Sequence, residues 1–156
     1  MIARAAAFAL ALLASSLLHA GGCFVSATSV AFGSYSEFAP MPTDSVGNVS
    51  VTCHGSAGET VAYSIQLSAG VSGSCASRRM RPASGHYGGL NYNLYTTAAR
   101  TLVWGDGSGG SVTVNDAYTL TGKQVTRNYP VYGRIFARQK ARVGTYSDYI
   151  VVTLSF

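Results

Sequence analysis

The sequence predicts an all-β protein built as a two-sheet sandwich, on three observations. Its 156 residues include 18 glycines and 10 tyrosines, with many valines and threonines, a composition suited to pleated, half-buried surfaces. Beyond the amino-terminal apolar run, no stretch keeps an apolar helical period for ten residues without glycine or proline, so no amphipathic helix is expected. Seven or eight runs instead alternate apolar and polar residues between turn-forming clusters, the pattern of strands that bury one face.

The chain opens on one basic residue, Arg4, followed by an apolar run from Ala5 to Leu18 and the small residue Ala20 before Gly21. An apolar core of about 14 residues is too short for a membrane span, which needs about 20, and has the form of a secretory signal peptide. Cleavage is expected after Ala20, which makes residues 1–20 the signal and residues 21–156 a single exported domain. A lipoprotein reading, with Cys23 acylated, lacks the leucine-like residue expected at Ala20 in Ala20-Gly21-Gly22-Cys23. The remaining chain of about 136 residues is enough for one domain with a core of its own.

The strands follow in order. Phe24 to Gly33 is the first, and Gly47 to Cys53 places Val49, Val51 and Cys53 on one face. Val61, Tyr63, Ile65 and Leu67 alternate with polar or small residues, as do Leu90, Tyr92 and Leu94. Thr101 to Trp104 and Ser111 to Leu120 flank the turn-rich Gly105-Asp106-Gly107-Ser108-Gly109-Gly110. Tyr129 to Arg138 sets Val131, Gly133 and Ile135 against Tyr132, Arg134 and Phe136. Thr145 to Phe156 is the last, with Tyr146, Ile150, Val152, Leu154 and Phe156 on one face. So apolar a final strand must be covered, and its backbone must find partners.

Charge excludes little. The formal net charge of +5 falls to +4 once Arg4 is removed. The basic residues divide between Arg78, Arg79 and Arg81 and a later set from Arg127 to Arg142, without the dense stripe expected of a nucleic-acid protein. Arg78-Arg79-Met80 reads as a solvated loop. An enzyme finds no foundation: His54 and His86 are the only histidines after the signal, and the spacing shows neither a nucleophile with its base nor a metal ligand set. No cofactor is expected.

Seven segments in order resemble the spore coat protein U domain of archaic chaperone-usher pilus subunits, over essentially the whole chain from Cys23 to Phe156. They are Cys23 with Val30-Ala31-Phe32-Gly33-Ser34-Tyr35; Val49-Ser50-Val51-Thr52-Cys53; Arg78-Arg79-Met80; Leu90-Asn91-Tyr92-Asn93-Leu94-Tyr95; Trp104-Gly105-Asp106-Gly107; Pro130-Val131-Tyr132-Gly133-Arg134-Ile135; and Gly144-Thr145-Tyr146-Ser147-Asp148.

The resemblance implies an immunoglobulin-like sandwich missing its final strand. Such a domain is held open by a periplasmic pilus chaperone, passed through an outer-membrane usher to the cell surface, and completed by a strand donated from a neighbouring subunit. Tyr146, Ile150, Val152, Leu154 and Phe156 would line or border the acceptor groove. It also implies a Cys23–Cys53 disulfide, in keeping with an oxidising periplasm; Cys75 is left as a free loop thiol, an intermolecular link or an exchange partner. Cleavage after Ala20 would leave only Gly21 and Gly22 ahead of the fold, so the expectation is a subunit that accepts a strand without giving one, at a tip or other terminal position.

Two other classes stay open at this level. One is a stand-alone cell-surface or spore-coat-like protein. The other is a carbohydrate-binding module, with Trp104, Tyr95 and Tyr132 as candidate adhesive platforms for a glycan or abiotic surface.

Overall fold

The computed structural model describes residues 22–85 and 88–156. The expected signal peptide, its cleavage point, His86 and Tyr87 lie outside the described residues. Among the described residues nine strands follow one another: β1 (Cys23–Thr28), β2 (Thr43–His54), β3 (Thr60–Leu67), β4 (Arg78–Pro82), β5 (Leu90–Tyr95), β6 (Val114–Thr119), β7 (Gln124–Ile135), β8 (Tyr146–Ser147) and β9 (Val152–Ser155). Two single 3₁₀ turns, Gly70–Ser72 and Cys75–Ser77, stand between β3 and β4.

The strands form two sheets, as the alternation requires. One has six strands in the order β1-β2-β7-β5-β4-β8, and the other three in the order β6-β3-β9. The spine is the antiparallel pair β2 and β7, in register from Thr43↔Ile135 to His54↔Gln124. Inward faces carry the predicted residues: Val49, Val51 and Cys53 from β2; Val61, Tyr63, Ile65 and Leu67 from β3; Leu90, Tyr92 and Leu94 from β5; Val131 and Ile135 from β7. Each such side chain, fully buried, stabilises by roughly 1.5–3 kcal/mol. The sheets are also tied by polar contacts: Tyr63 Oη lies 2.6 Å from Tyr129 Oη, and Tyr129 donates to Asp116, which pairs with Arg127.

Cys23 and Cys53 stand directly opposite in the β1–β2 register and are joined by a disulfide. Cys75 is free, as one of the readings held, but it is buried rather than presented by a loop.

Several boundaries differ from expectation. Strand β1 ends at Thr28, and residues 29–33 continue outside any ladder. Thr101 to Trp104 supplies only two isolated bridges, Tyr95↔Val103 and Trp104↔Val112. The last run is two short strands rather than one: residues 148–151 lie in no ladder, and β8 pairs with β4 in the large sheet while β9 pairs with β3 in the small one. Arg78-Arg79-Met80 is no loop: it opens β4, paired as Arg78↔Tyr92, Arg79↔Asn91 and Met80↔Leu90.

Candidate functional site

Among the described residues, the β9 edge of the small sheet has no strand partner and lies beside an apolar cleft. Strand β9 pairs, among the described residues, with β3 alone, from Ser64↔Ser155 to Leu67↔Val152, and it is the last strand of its sheet. The cleft beside it measures about 350 Å³. Residues 27–30 and Phe32 line it on the β1 side, and Asp148, Tyr149, Ile150 and Val152 line it on the β9 side. Leu67, Met80, Tyr92, Leu94 and Val131 also line it, all of them core residues.

Two glycines hold the β1-side wall in place. A Cβ on Gly133 would lie 2.6 Å from Phe32 Cζ and Val30 Cγ1, and one on Gly47 would lie 2.8 Å from Val30 Cγ2. Only glycine lets residues 29–33 press so closely on β2 and β7. Phe32 meets Tyr92 edge to face at 6.1 Å, and Tyr35 Oη accepts from Gln139 N at 2.7 Å while donating to Phe136 O at 3.2 Å.

Polar contacts fix the β9-side wall. Asp148 Oδ1 accepts from Val71 N at 2.9 Å and from Tyr149 N at 2.8 Å, while Oδ2 accepts from Tyr92 Oη at 2.7 Å. Burial pushes the Tyr92 hydroxyl well above its ordinary range, and the Asp148 carboxylate beside it adds to the shift. Ser68 N donates to Val151 O, and Val151 N returns a bond to Ser68 Oγ, both at 2.9 Å. Ser68 O in turn accepts from Arg78 Nε at 3.0 Å. The arginine expected in a solvated loop is thus fully buried, with its pKa lowered by desolvation.

The five residues expected at the groove divide among several places. Ile150 and Val152 line the cleft itself. Leu154 sits opposite Ile65 and packs on the core. Tyr146 lines an adjoining cavity of about 810 Å³ with residues 29–38. Phe156 is 78% exposed and borders a shallow depression with Ala62, Ala117 and Ser155. Sequence reasoning passed over Val30 and Phe32 as wall residues; Gly47 and Gly133, on neighbouring strands, were the legible signal.

The adhesive aromatics need correction. Trp104 has no exposed surface, and its indole Nε1 donates to Ile65 O at 3.0 Å. Tyr95 is buried, and Tyr132, opposite Tyr95 in the β5–β7 register, is half-buried beneath the Arg100 guanidinium at 5.8 Å. Burial of the first two leaves no aromatic platform of three rings.

No curated protein sequence matches the chain. Among solved structures, one chain of the CsuC–CsuE chaperone–tip adhesion subunit pre-assembly complex, from archaic chaperone-usher Csu pili of Acinetobacter baumannii, aligns with a TM-score of 0.54. Identity is 21%, and the alignment covers 86% of this chain but only 39% of that one. That likeness is one of fold. The Spore Coat Protein U domain profile matches residues 9–153, nearly the full length, and the chain belongs to the Spore Coat Protein U domain family.

Proposed function

We propose that this protein is a non-enzymatic structural subunit of an archaic chaperone-usher pilus, and that it accepts a donated strand between residues 29–33 and β9. The observation that carries this reading is the unpaired edge of β9 running beside an apolar cleft. An extended segment laid there would gain main-chain hydrogen bonds from β9, while its alternate side chains filled the space above Leu67, Leu94 and Val131. A periplasmic chaperone would supply that segment first and a neighbouring subunit later, with an outer-membrane usher between the two stages. The domain of residues 21–156 would reach the cell surface after loss of residues 1–20. An acceptor-only position at a pilus tip, and the adhesive role that goes with a tip, belong to the same reading and depend on cleavage after Ala20. The amino-terminal residue of the exported protein decides that point.

The test is export of the full chain to a periplasm with and without the chaperone encoded nearest its gene, followed by affinity capture and thermal melting. Stoichiometric capture, with aggregation or a low Tm in its absence, is the expected result. A monomer that melts cooperatively at high temperature and ignores the chaperone would overturn the reading.

A further inference from the structure

A second concave site lies away from the groove. β4 alternates between buried Arg78 and Met80 and exposed Arg79 and Arg81, so the two exposed arginines stand two residues apart on one face of the strand. They line a cavity of about 710 Å³ that Ser72, Ser77 and Asn91 also line. Arg79 Nε donates to Asn91 Oδ1 at 3.1 Å, and Arg81 Nη2 reaches Val71 O at 3.4 Å. Each bond uses one of the five N–H groups of a guanidinium.

The charge of this cavity is not balanced. Among the described residues no lining residue is acidic and neither arginine forms an ion pair. Asp148, bonded to the Gly70–Ser72 turn through Val71 N, has its oxygens also taken by Tyr149 N and Tyr92 Oη, and it lines the groove rather than this cavity. Two forked guanidinium groups on one wall suit a planar carboxylate, which each can hold through two parallel hydrogen bonds. The serine hydroxyls and the Asn91 amide suit a partner rich in hydroxyls. Among the described residues its apolar lining is Val71 and Pro82, a small surface for the side chains of an acidic peptide.

We infer that the Arg79–Arg81 cavity binds acidic polysaccharide through the carboxylate of a uronic acid residue. The site is separate from strand acceptance: the groove and this cavity share no lining residue.

Calorimetric titration of the exported full chain with a galacturonic acid hexamer at low ionic strength tests the inference. A neutral glucose hexamer, inorganic phosphate and hexaglutamate serve as comparison probes. The uronic acid hexamer should bind with an affinity that falls as salt is added. Arg79→Gln with Arg81→Gln should weaken it by about tenfold or more, whereas Arg138→Gln with Lys140→Gln, the same change in net charge, should leave it within about twofold. Failure to bind, equal losses in both double variants, or equally tight binding of phosphate or hexaglutamate would overturn it. If the first double variant melts below the wild type, chemical-shift mapping on the wild-type chain decides. Shifts centred on Arg79 and Arg81 support the site, and shifts centred elsewhere overturn it.

Discussion

Arg78 Nη1 donates to Asn93 Oδ1 at 2.9 Å, in a position where the guanidinium has no exposed surface and, among the described residues, no ion pair. Its other donors reach the carbonyls of Leu67 and Ser68, and Ser68 holds Val151 at the entry to β9. The residue therefore supports one wall of the groove from behind.

Arg78→Met keeps the aliphatic volume and removes every one of those donors. Losing a buried cation relieves its desolvation cost, but the carbonyls of Leu67 and Ser68 lose their guanidinium donors, and Asn93 Oδ1 keeps only the Leu94 N–H at 2.9 Å. The second effect wins, and a loss of roughly 3 kcal/mol is expected in urea unfolding. Arg78→Lys should recover only part of it, because one ammonium cannot serve Asn93 and Ser68 in the geometry of the fork. Equal stability of all three proteins would show the network to be idle.

Gly133→Ala should displace the wall formed by residues 29–33. The new Cβ would meet Phe32 and Val30 at 2.6 Å, and overpacking of this kind costs about 1–3 kcal/mol. Amide hydrogen exchange at residues 30–35 should speed up more than exchange in β3; uniform acceleration would place the damage in the core instead.

Trp104→Ala should act on stability. Removing a fully buried indole costs about 3–5 kcal/mol, and Trp104→Phe should lose less while leaving Ile65 O without its donor. Guanidinium unfolding measures both. A variant that kept wild-type stability yet lost surface binding would restore the adhesive role for this ring.

Replacing Cys23 and Cys53 together by serine opens a loop with a sequence separation of 30, and the chain-entropy estimate for that length is about 3–4 kcal/mol. Thiol counting of the denatured wild-type protein should find Cys75 alone.

The carboxylate of Asp106 is held down at about 2, chiefly by the Ser108 hydroxyl at 2.6 Å and then by Ser108 N at 2.9 Å. Because the folded value lies below the unfolded one of about 3.9, its stabilisation is present above pH 4 and is lost as pH falls toward 2. The Tm advantage of the wild type over Asp106→Asn should therefore shrink from pH 4 to pH 2. An advantage that stays constant would assign it to the turn geometry alone.

The sequence by itself determined the class of fold and most of the core. Alternation at Val61, Tyr63, Ile65 and Leu67, or at Leu90, Tyr92 and Leu94, is a local property of the pleat, so the shared face of each set was legible before any contact was known. The tertiary structure decided which faces were covered and where the last run broke. Trp104 lies on no regular strand, and it is buried by packing into the core, where its indole N–H finds the Ile65 carbonyl 39 positions away. Arg78 is buried because β4 pairs with β5 in a register that turns it toward Leu67 and Ser68, a choice no short window of sequence contains. The break at residues 148–151 likewise depends on Val71, Tyr92 and Ser68. The cleft exists because one sheet ends at β9 while the chain after β1 presses on Gly47 and Gly133. Such close approach is a relation between distant backbones, and only the assembled fold brings them together.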